Sequence, residues 1–121
     1  MTALVWAGLM VCGGVGAVLR FLVDGLVSRR SSRSLPYGTL VVNLSGAVVL
    51  GLLDGLLLPT DAALLVGTGI IGSYTTFSTW MFETQRLVEE RQLMRAWANV
   101  LVSVIAGIAA ATFGLWIGGR L

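Results

Sequence analysis

The sequence predicts an all-α integral membrane protein with four transmembrane helices and little chain outside the bilayer. Apolar residues make up 56% of the chain and charged residues only 12%, against the ~25% charged residues usual in soluble domains. The mean hydropathy is +0.90. Four apolar stretches each approach the roughly 20 residues that a helix needs to cross the hydrocarbon core. The connections between them are too short to fold separately, so we predict a single domain over residues 1–121.

The predicted spans begin and end where apolar sequence gives way to polar sequence, at Ala3–Val23, Gly38–Leu58, Ala62–Phe82 and Ala96–Gly118. The connections on one side of the membrane carry six arginines: Arg29, Arg30, Arg33, Arg86, Arg91 and Arg95. The other side carries only Arg120. Because arginine-rich loops tend to stay in the cytoplasm, we predict that loops 28–37 and 83–95 are cytoplasmic and that both chain ends are outside.

The composition excludes several classes of function. The chain has no histidine and a single cysteine, Cys12, which rules out histidine chemistry and an internal disulfide. It also has no phosphate-binding loop, no cluster of metal ligands and no pairing of a nucleophile with a base. We therefore expect neither an enzyme nor a nucleic-acid binder.

Polar side chains in the first two spans each allow two interpretations. Arg20 and Asp24 lie four residues apart on one helical face, a spacing that allows an ion pair near the lipid headgroups. The alternative is that Arg20 faces a water-filled opening and attracts anions. Asn43 lies deep in the second span, where an amide needs either a partner on another helix or a polar cavity.

The third span is uncharged but has an unfavourable helical sequence at its centre. Residues 67–80 read Gly-Thr-Gly-Ile-Ile-Gly-Ser-Tyr-Thr-Thr-Phe-Ser-Thr-Trp, and each glycine is about 1 kcal/mol worse than alanine in a helix. Because this stretch forms a weak helix, we predict that the helix is broken at mid-membrane. Such a break frees backbone groups that bind ions. A continuous helix is the alternative. Beyond the break, Phe77 and Trp80 are predicted to share one helical face.

The fourth span carries Asn99, Ser103 and Gly107 at intervals of four residues. Such a stripe lines either a contact between helices or a polar track. No acidic residue lies at the centre of a span, which disfavours a proton-coupled exporter. The available lining consists of neutral donors, carbonyl oxygens and aromatic rings, which is typical of an ion channel.

Three segments resemble the signatures of the CrcB (Fluc) family of fluoride channels: GAVLRF at 16–21, PYGTLVVNLSG at 36–46 and GIIGSYTTFSTW at 69–80. The resemblance covers the whole chain in length, number of spans and order of motifs. It implies an antiparallel dimer in the plasma membrane of a prokaryote. It also implies a fluoride-selective channel that lowers cytoplasmic fluoride by passive export down the electrochemical gradient.

The resemblance further implies roles for individual positions. It places an ion pathway at Asn43, Phe77, Ser78, Thr79, Trp80 and Ser103. It places a vestibule at Arg20 and a polar track at Glu83 and Asn99. A structural sodium ion, which is not transported, would be held at the dimer centre by the backbone carbonyls of Gly72 and Thr75. The implied partners are fluoride, membrane lipid and a second subunit.

The chain departs from the family pattern in three respects. Trp80 stands where the family often has a second phenylalanine, and its additional N–H donor is expected to alter or close the pathway. Asn99 stands where many members have tyrosine. The arginine bias favours one orientation, so the partner is either a second copy or an oppositely oriented sister chain. A small proton-coupled multidrug exporter and a membrane subunit that transports nothing remain as alternative functions.

Overall fold

A computed structural model describes residues 2–31 and 35–121, and all regular structure within them is helical, as the sequence predicts. In chain order the elements are α1 (Ala3–Arg30), α2 (Tyr37–Leu56), α3 (Thr60–Ala63), a π-helical stretch (Leu64–Ile71), α4 (Gly72–Tyr74), α5 (Ser78–Glu89) and α6 (Leu93–Arg120). The helices α1, α2 and α6 are long and apolar enough to cross a membrane. The predicted third span falls in the region that is divided into shorter elements.

The helices extend further than the hydropathy limits suggested. Within the predicted loops 28–37 and 83–95, the structure has Ser28–Arg30 as the end of α1 and Glu83–Glu89 as the end of α5. These segments contain arginine, glutamine, leucine and glutamate, which are good helix formers. A helix can therefore continue past the point where its apolar character ends. Arg33 lies outside the described residues.

The helices α2 and α6 form the most extensive contact of the bundle. Two glycines spaced four residues apart line each side of this contact: Gly51 and Gly55 on α2, Gly114 and Gly118 on α6. A Cβ atom added to Gly114 would clash with the carbonyl oxygen of Val48, so the two backbones touch directly. This spacing of small residues permits close helix approach in membranes, so each glycine pair is a packing signal that can be recognised in the sequence.

The glycine-rich part of the third region is also used for close packing. The backbone of Gly16 in α1 lies against the carbonyl of Ile70, and Gly69 faces the Cβ atom of Cys12. Wide turns replace α-helical ones here, since the Gly72 amide donates to the carbonyl of Gly67, five residues back. The glycines of the weak stretch at 67–80 therefore remain helical, and the backbone leaves helical geometry only after Tyr74, later in that stretch.

Candidate functional site

The backbone between α4 and α5 is extended at Thr75, with φ −81° and ψ 160°, and α5 begins at Ser78. Asn43 of α2 bridges this interruption. Its Oδ1 accepts a hydrogen bond from the Thr76 amide at 2.8 Å, and its Nδ2 donates to the Thr76 carbonyl at 2.8 Å. Both backbone groups of Thr76 are satisfied in this way, as buried backbone groups must be. Asn43 thus provides a contact between helices and also lines a cavity described below.

Thr76 is a site residue that was not predicted from the sequence. It is buried, and its Oγ1 accepts a hydrogen bond from the amide of Thr79 at 3.2 Å. This bond satisfies one of the free amides at the start of α5, which is the role of a helix-capping threonine. A threonine three residues before that amide is a recognisable capping pattern, so the signal was present in the sequence.

Two cavities flank the interruption, and Thr76 lines both. The first, of about 330 Å³, is bounded in part by Asn43, Thr75, Thr76, Phe77 and Trp80. The second, of about 230 Å³, is bounded in part by Arg20, Asp24, Thr39, Thr76 and Thr79. The interrupted backbone therefore separates an aromatic cavity from one lined by Arg20, Asp24 and three threonines.

Arg20 lines the second cavity and does not pair with Asp24. The Asp24 carboxylate instead accepts a hydrogen bond from the Ser28 hydroxyl at 3.2 Å. Within residues 2–31 and 35–121, the one ion pair joins Arg86 to Glu90 at 3.4 Å. The ion pair allowed by the spacing of Arg20 and Asp24 is therefore absent from these ranges, and both residues line the second cavity.

The predicted aromatic face is confirmed. The rings of Phe77 and Trp80 pack edge to face, with centroids 5.7 Å apart and an interplanar angle of 76°. The Phe77 side chain is 70% exposed in the single chain. The Trp80 indole N–H, which was expected to alter or close the pathway, donates to the backbone carbonyl of Asn99 at 3.3 Å. That donor is occupied because α6 packs beside α5.

The two polar-track residues do not meet. Asn99 is 4% exposed, and its Nδ2 donates to Thr84 Oγ1 at 2.8 Å, so it serves a contact between α5 and α6. Glu83 accepts a hydrogen bond from the hydroxyl of Thr39 on α2. Glu83 therefore faces α2 and the adjacent Thr84 faces α6, so Glu83 and Asn99 do not share a hydrogen-bond partner. Ser103 lies one turn beyond Asn99 and is half-buried.

The residues predicted to hold sodium lie at the end of the helical part of the third region. Gly72 is exposed in α4, and Thr75 is half-buried, with its hydroxyl bonded to the Ile71 carbonyl at 3.1 Å. Ser78 is exposed, and its hydroxyl lies 3.5 Å from that of Thr76. In the described ranges, no group of three or more acidic, cysteine or histidine side chains could hold a metal. Any cation here would therefore depend on backbone or hydroxyl oxygens.

The fold and the site together define a helical membrane protein whose central polar feature is an interrupted backbone. Residues 7–115 match the family of CrcB-like, Camphor Resistance (CrcB) proteins. The chain belongs to this family, which confirms the resemblance recognised in its motifs.

Relatives with high identity carry the name of an ion channel. The fluoride-specific ion channel FluC 2 of Mycobacterium tuberculosis strain H37Rv is 62% identical over 117 residues, which cover 97% of this chain and 93% of the relative. FluC 2 of Mycolicibacterium paratuberculosis is 65% identical over 113 residues, or 93% of each chain. FluC 1 of Leifsonia xyli is 41% identical over 123 residues, covering 98% and 90%. The family consists of channels, so the expectation that this chain is not an enzyme is confirmed.

Proposed function

We propose that the chain forms a fluoride-selective channel that lowers cytoplasmic fluoride by passive export. The observation that carries the proposal is the bridge between Asn43 and the backbone of Thr76. This bridge maintains a polar interruption inside an apolar helical bundle, between two cavities. The names of the relatives support fluoride as the ion.

The chemistry of the lining suits a small, strongly hydrated anion. Removing water from an ion is very costly unless hydrogen-bond donors replace it, and conduction requires that these donors bind only weakly. We assign this role to Asn43, Phe77, Ser78, Thr79 and Trp80. One Nδ2 hydrogen of Asn43 serves Thr76, which leaves the other for the cavity. The positive edges of the Phe77 and Trp80 rings supply further weak interactions.

Arg20 is proposed to form the vestibule. Its guanidinium group is always charged, and Arg20 borders the 230 Å³ cavity without an ion pair to Asp24, which lines the same cavity and bonds to Ser28. A fixed positive charge in a cleft raises the local concentration of anions. Thr79 lines the same cavity and supplies a hydroxyl group, whereas the Thr39 hydroxyl donates its hydrogen to Glu83. Ser103 remains a proposed pathway residue from α6, on the resemblance alone.

The backbone around the interruption also fits a structural sodium ion. In a continuous helix, the Gly72 carbonyl would accept from the Thr76 amide, and the Thr75 carbonyl from the Thr79 amide. Those amides donate instead to Asn43 and to the Thr76 hydroxyl. The carbonyls of Gly72 and Thr75 are therefore without these donors, and carbonyl oxygen is a suitable ligand for a hard cation. Such an ion would supply a fixed charge that favours anions.

The channel is proposed to be an antiparallel dimer in the plasma membrane of a prokaryote. Phe77 lines the aromatic cavity yet is 70% exposed in one chain. A second surface is therefore needed to close the pathway wall. The partner is either another copy or an oppositely oriented sister chain. Lipid covers the remaining apolar faces.

Fluoride efflux from liposomes that contain only this purified chain tests the function. The liposomes are loaded with potassium fluoride, and valinomycin makes their membrane permeable to potassium so that charge stays balanced. A fluoride electrode then records the release of fluoride. We expect rapid fluoride release that chloride does not match. Folded protein that releases no fluoride alone, but does so with an oppositely oriented homologue, would identify a heterodimer. No release in either case would reject the channel and favour a subunit that transports nothing.

Sodium can be tested without transport. The thermal unfolding temperature of the purified protein should be higher in sodium chloride than in choline chloride of equal concentration. Asn43→Ala should reduce this difference, because the hydrogen bonds that hold the interrupted backbone beside the Gly72 and Thr75 carbonyls would be lost. An equal unfolding temperature in both salts would reject the proposed sodium site.

Orientation can be tested with a cysteine placed at Ser31, after replacement of Cys12 by serine. An impermeant maleimide should label Ser31→Cys only from the cytoplasmic side. Labelling from both sides would show two insertion orientations and would favour a dimer of identical chains.

A further inference from the structure

Trp80 is tied to α6 by a set of hydrogen bonds that the proposed pathway does not explain. The indole Nε1 of Trp80 donates to the carbonyl of Asn99 at 3.3 Å. The side chain of Asn99 donates to Thr84 Oγ1 at 2.8 Å, and that hydroxyl donates to the carbonyl of Trp80 at 2.9 Å. Three hydrogen bonds therefore connect these three residues in a closed circuit between α5 and α6.

The circuit lies in a part of the molecule where an unpaired polar group is costly. Asn99 is 4% exposed, and its near neighbour Ala96 is exposed to the same small extent. A buried amide is stable only when its donors are paired. The Thr84 hydroxyl is the partner of this amide. Loss of the hydroxyl would leave the amide unpaired and would disturb the helix contact beside Trp80.

The orientation of Trp80 sets which of its atoms line the aromatic cavity. Trp80 and Phe77 both border the 330 Å³ cavity, and their rings pack edge to face. Because the indole N–H is used by Asn99, it is withheld from the cavity. Thr84 and Asn99 are not among the residues that border this cavity. Trp80 is the cavity residue to which both are hydrogen-bonded.

We propose that Thr84 and Asn99 are positioning residues that orient Trp80 and thereby set the rate of ion passage at Phe77. The effect on passage rests on the proposed function, whereas the orientation of the ring does not. The two parts of the proposal therefore need separate measurements.

The experiment uses the full chain with three exposed tryptophans replaced by phenylalanine: Trp6, Trp97 and Trp116. Trp80 is then the remaining tryptophan, and its fluorescence can be followed alone. In this background, Thr84→Val removes the hydroxyl with little change in shape. We expect a shifted Trp80 emission maximum, greater quenching by acrylamide, and fluoride efflux reduced about fivefold, the change expected from one ordinary hydrogen bond. Thr84→Ser keeps the hydroxyl and should restore all three values.

Thr112→Val is the matched control. It removes a threonine hydroxyl that bonds to the Ile108 carbonyl on the exposed side of α6. We expect its Trp80 emission and its efflux to equal those of the parent chain. If Thr84→Val does not fold, Asn99→Leu removes the same side-chain hydrogen bond and replaces it in the experiment.

The outcomes separate the two parts of the proposal. Unchanged Trp80 emission and quenching in folded Thr84→Val would overturn the positioning role. Altered emission with unchanged efflux would overturn the link to ion passage. If the parent chain carries no fluoride under any condition, the proposed function fails, while the emission measurement still decides whether Thr84 orients Trp80.

Discussion

The contact between α2 and α6 and the region from Thr60 to Glu89 solve the same problem in different ways. Both must satisfy their backbone groups within an apolar bundle. In α2 and α6 the helices are regular, and glycines allow the two backbones to touch. In the third region the helix widens, stops after Tyr74 and resumes at Ser78. Side chains then replace the missing helical hydrogen bonds.

The difference shows where function can be accommodated. A pair of regular helices in close contact has no free backbone groups to offer an ion, because each is used within its own helix. An interrupted helix has them, but it needs partners from elsewhere, since an unsatisfied backbone group costs several kcal/mol in lipid. Asn43 belongs to α2 and bonds to Thr76 of the interrupted region. The rigid pair therefore supports the irregular segment.

The largest expected effect follows replacement of this support. Asn43→Ala removes both hydrogen bonds to Thr76, and each buried group left unpaired costs about 1–3 kcal/mol. We expect a lower unfolding temperature and a loss of most fluoride efflux. Ser45→Ala is the control, because it removes a hydroxyl of α2 that contacts Tyr74 at 2.9 Å rather than the interruption. Fluoride efflux at the parent rate in Asn43→Ala would show that Asn43 serves as a contact between helices and is not part of the ion pathway.

The next effect tests the regular pair. Gly114→Ala inserts a methyl group against the Val48 carbonyl, and overpacking of this kind costs about 1–3 kcal/mol. We expect a lower unfolding temperature in detergent. Gly107→Ala on the same helix has open space around it and should be neutral or slightly stabilising, since alanine is the better helix former. Equal unfolding temperatures for the two variants would contradict the close backbone contact.

A smaller effect is expected within the aromatic cavity. Phe77→Ile should reduce fluoride efflux by up to about tenfold, because an aromatic edge interaction contributes about 0.5–1.5 kcal/mol. The dimer should remain intact by size-exclusion chromatography. Phe82→Ile is the control, since Phe82 is exposed on the same helix and does not border the cavity. Unchanged efflux in Phe77→Ile would remove this ring from the pathway.

The smallest effect concerns the surface of α5. Arg86 and Glu90 form an exposed ion pair with spacing i, i+4, and such pairs contribute about 0.5 kcal/mol or less. Glu90→Gln should therefore leave the unfolding temperature and the fluoride efflux nearly unchanged. A large loss of either would mean that the end of α5 takes part in assembly or conduction.

The candidate site was predictable to different extents at different positions. The polarity of Asn43 within an apolar span marked it as important, and the i, i+3 spacing placed Phe77 beside Trp80. Thr76 was signalled only by its spacing from Thr79, and its bridge to Asn43 was not signalled. Thr84 and Thr39 carried no comparable signal, because each bonds to a partner distant in sequence.

Two polar groups show what the sequence left open. The stripe that contains Asn99 was compatible with a helix contact or a polar track, and the Trp80 N–H with an altered or closed pathway. In the structure each group is hydrogen-bonded between α5 and α6. A polar side chain on a helix indicates that a partner is needed, but the sequence does not say which neighbour supplies it. That choice depends on how two helices pack.

The amino-acid sequence by itself determined the class of the protein, because the length and polarity of each stretch decide whether it is stable in lipid. It also determined the family, through motifs that extend along the chain. The tertiary structure decided where the third helix is interrupted and which side chains repair it. Glycine weakened the helix over several turns, but the interruption lies at Thr75–Phe77, where Asn43 can satisfy the backbone of Thr76. The location thus follows from a hydrogen-bond partner on another helix.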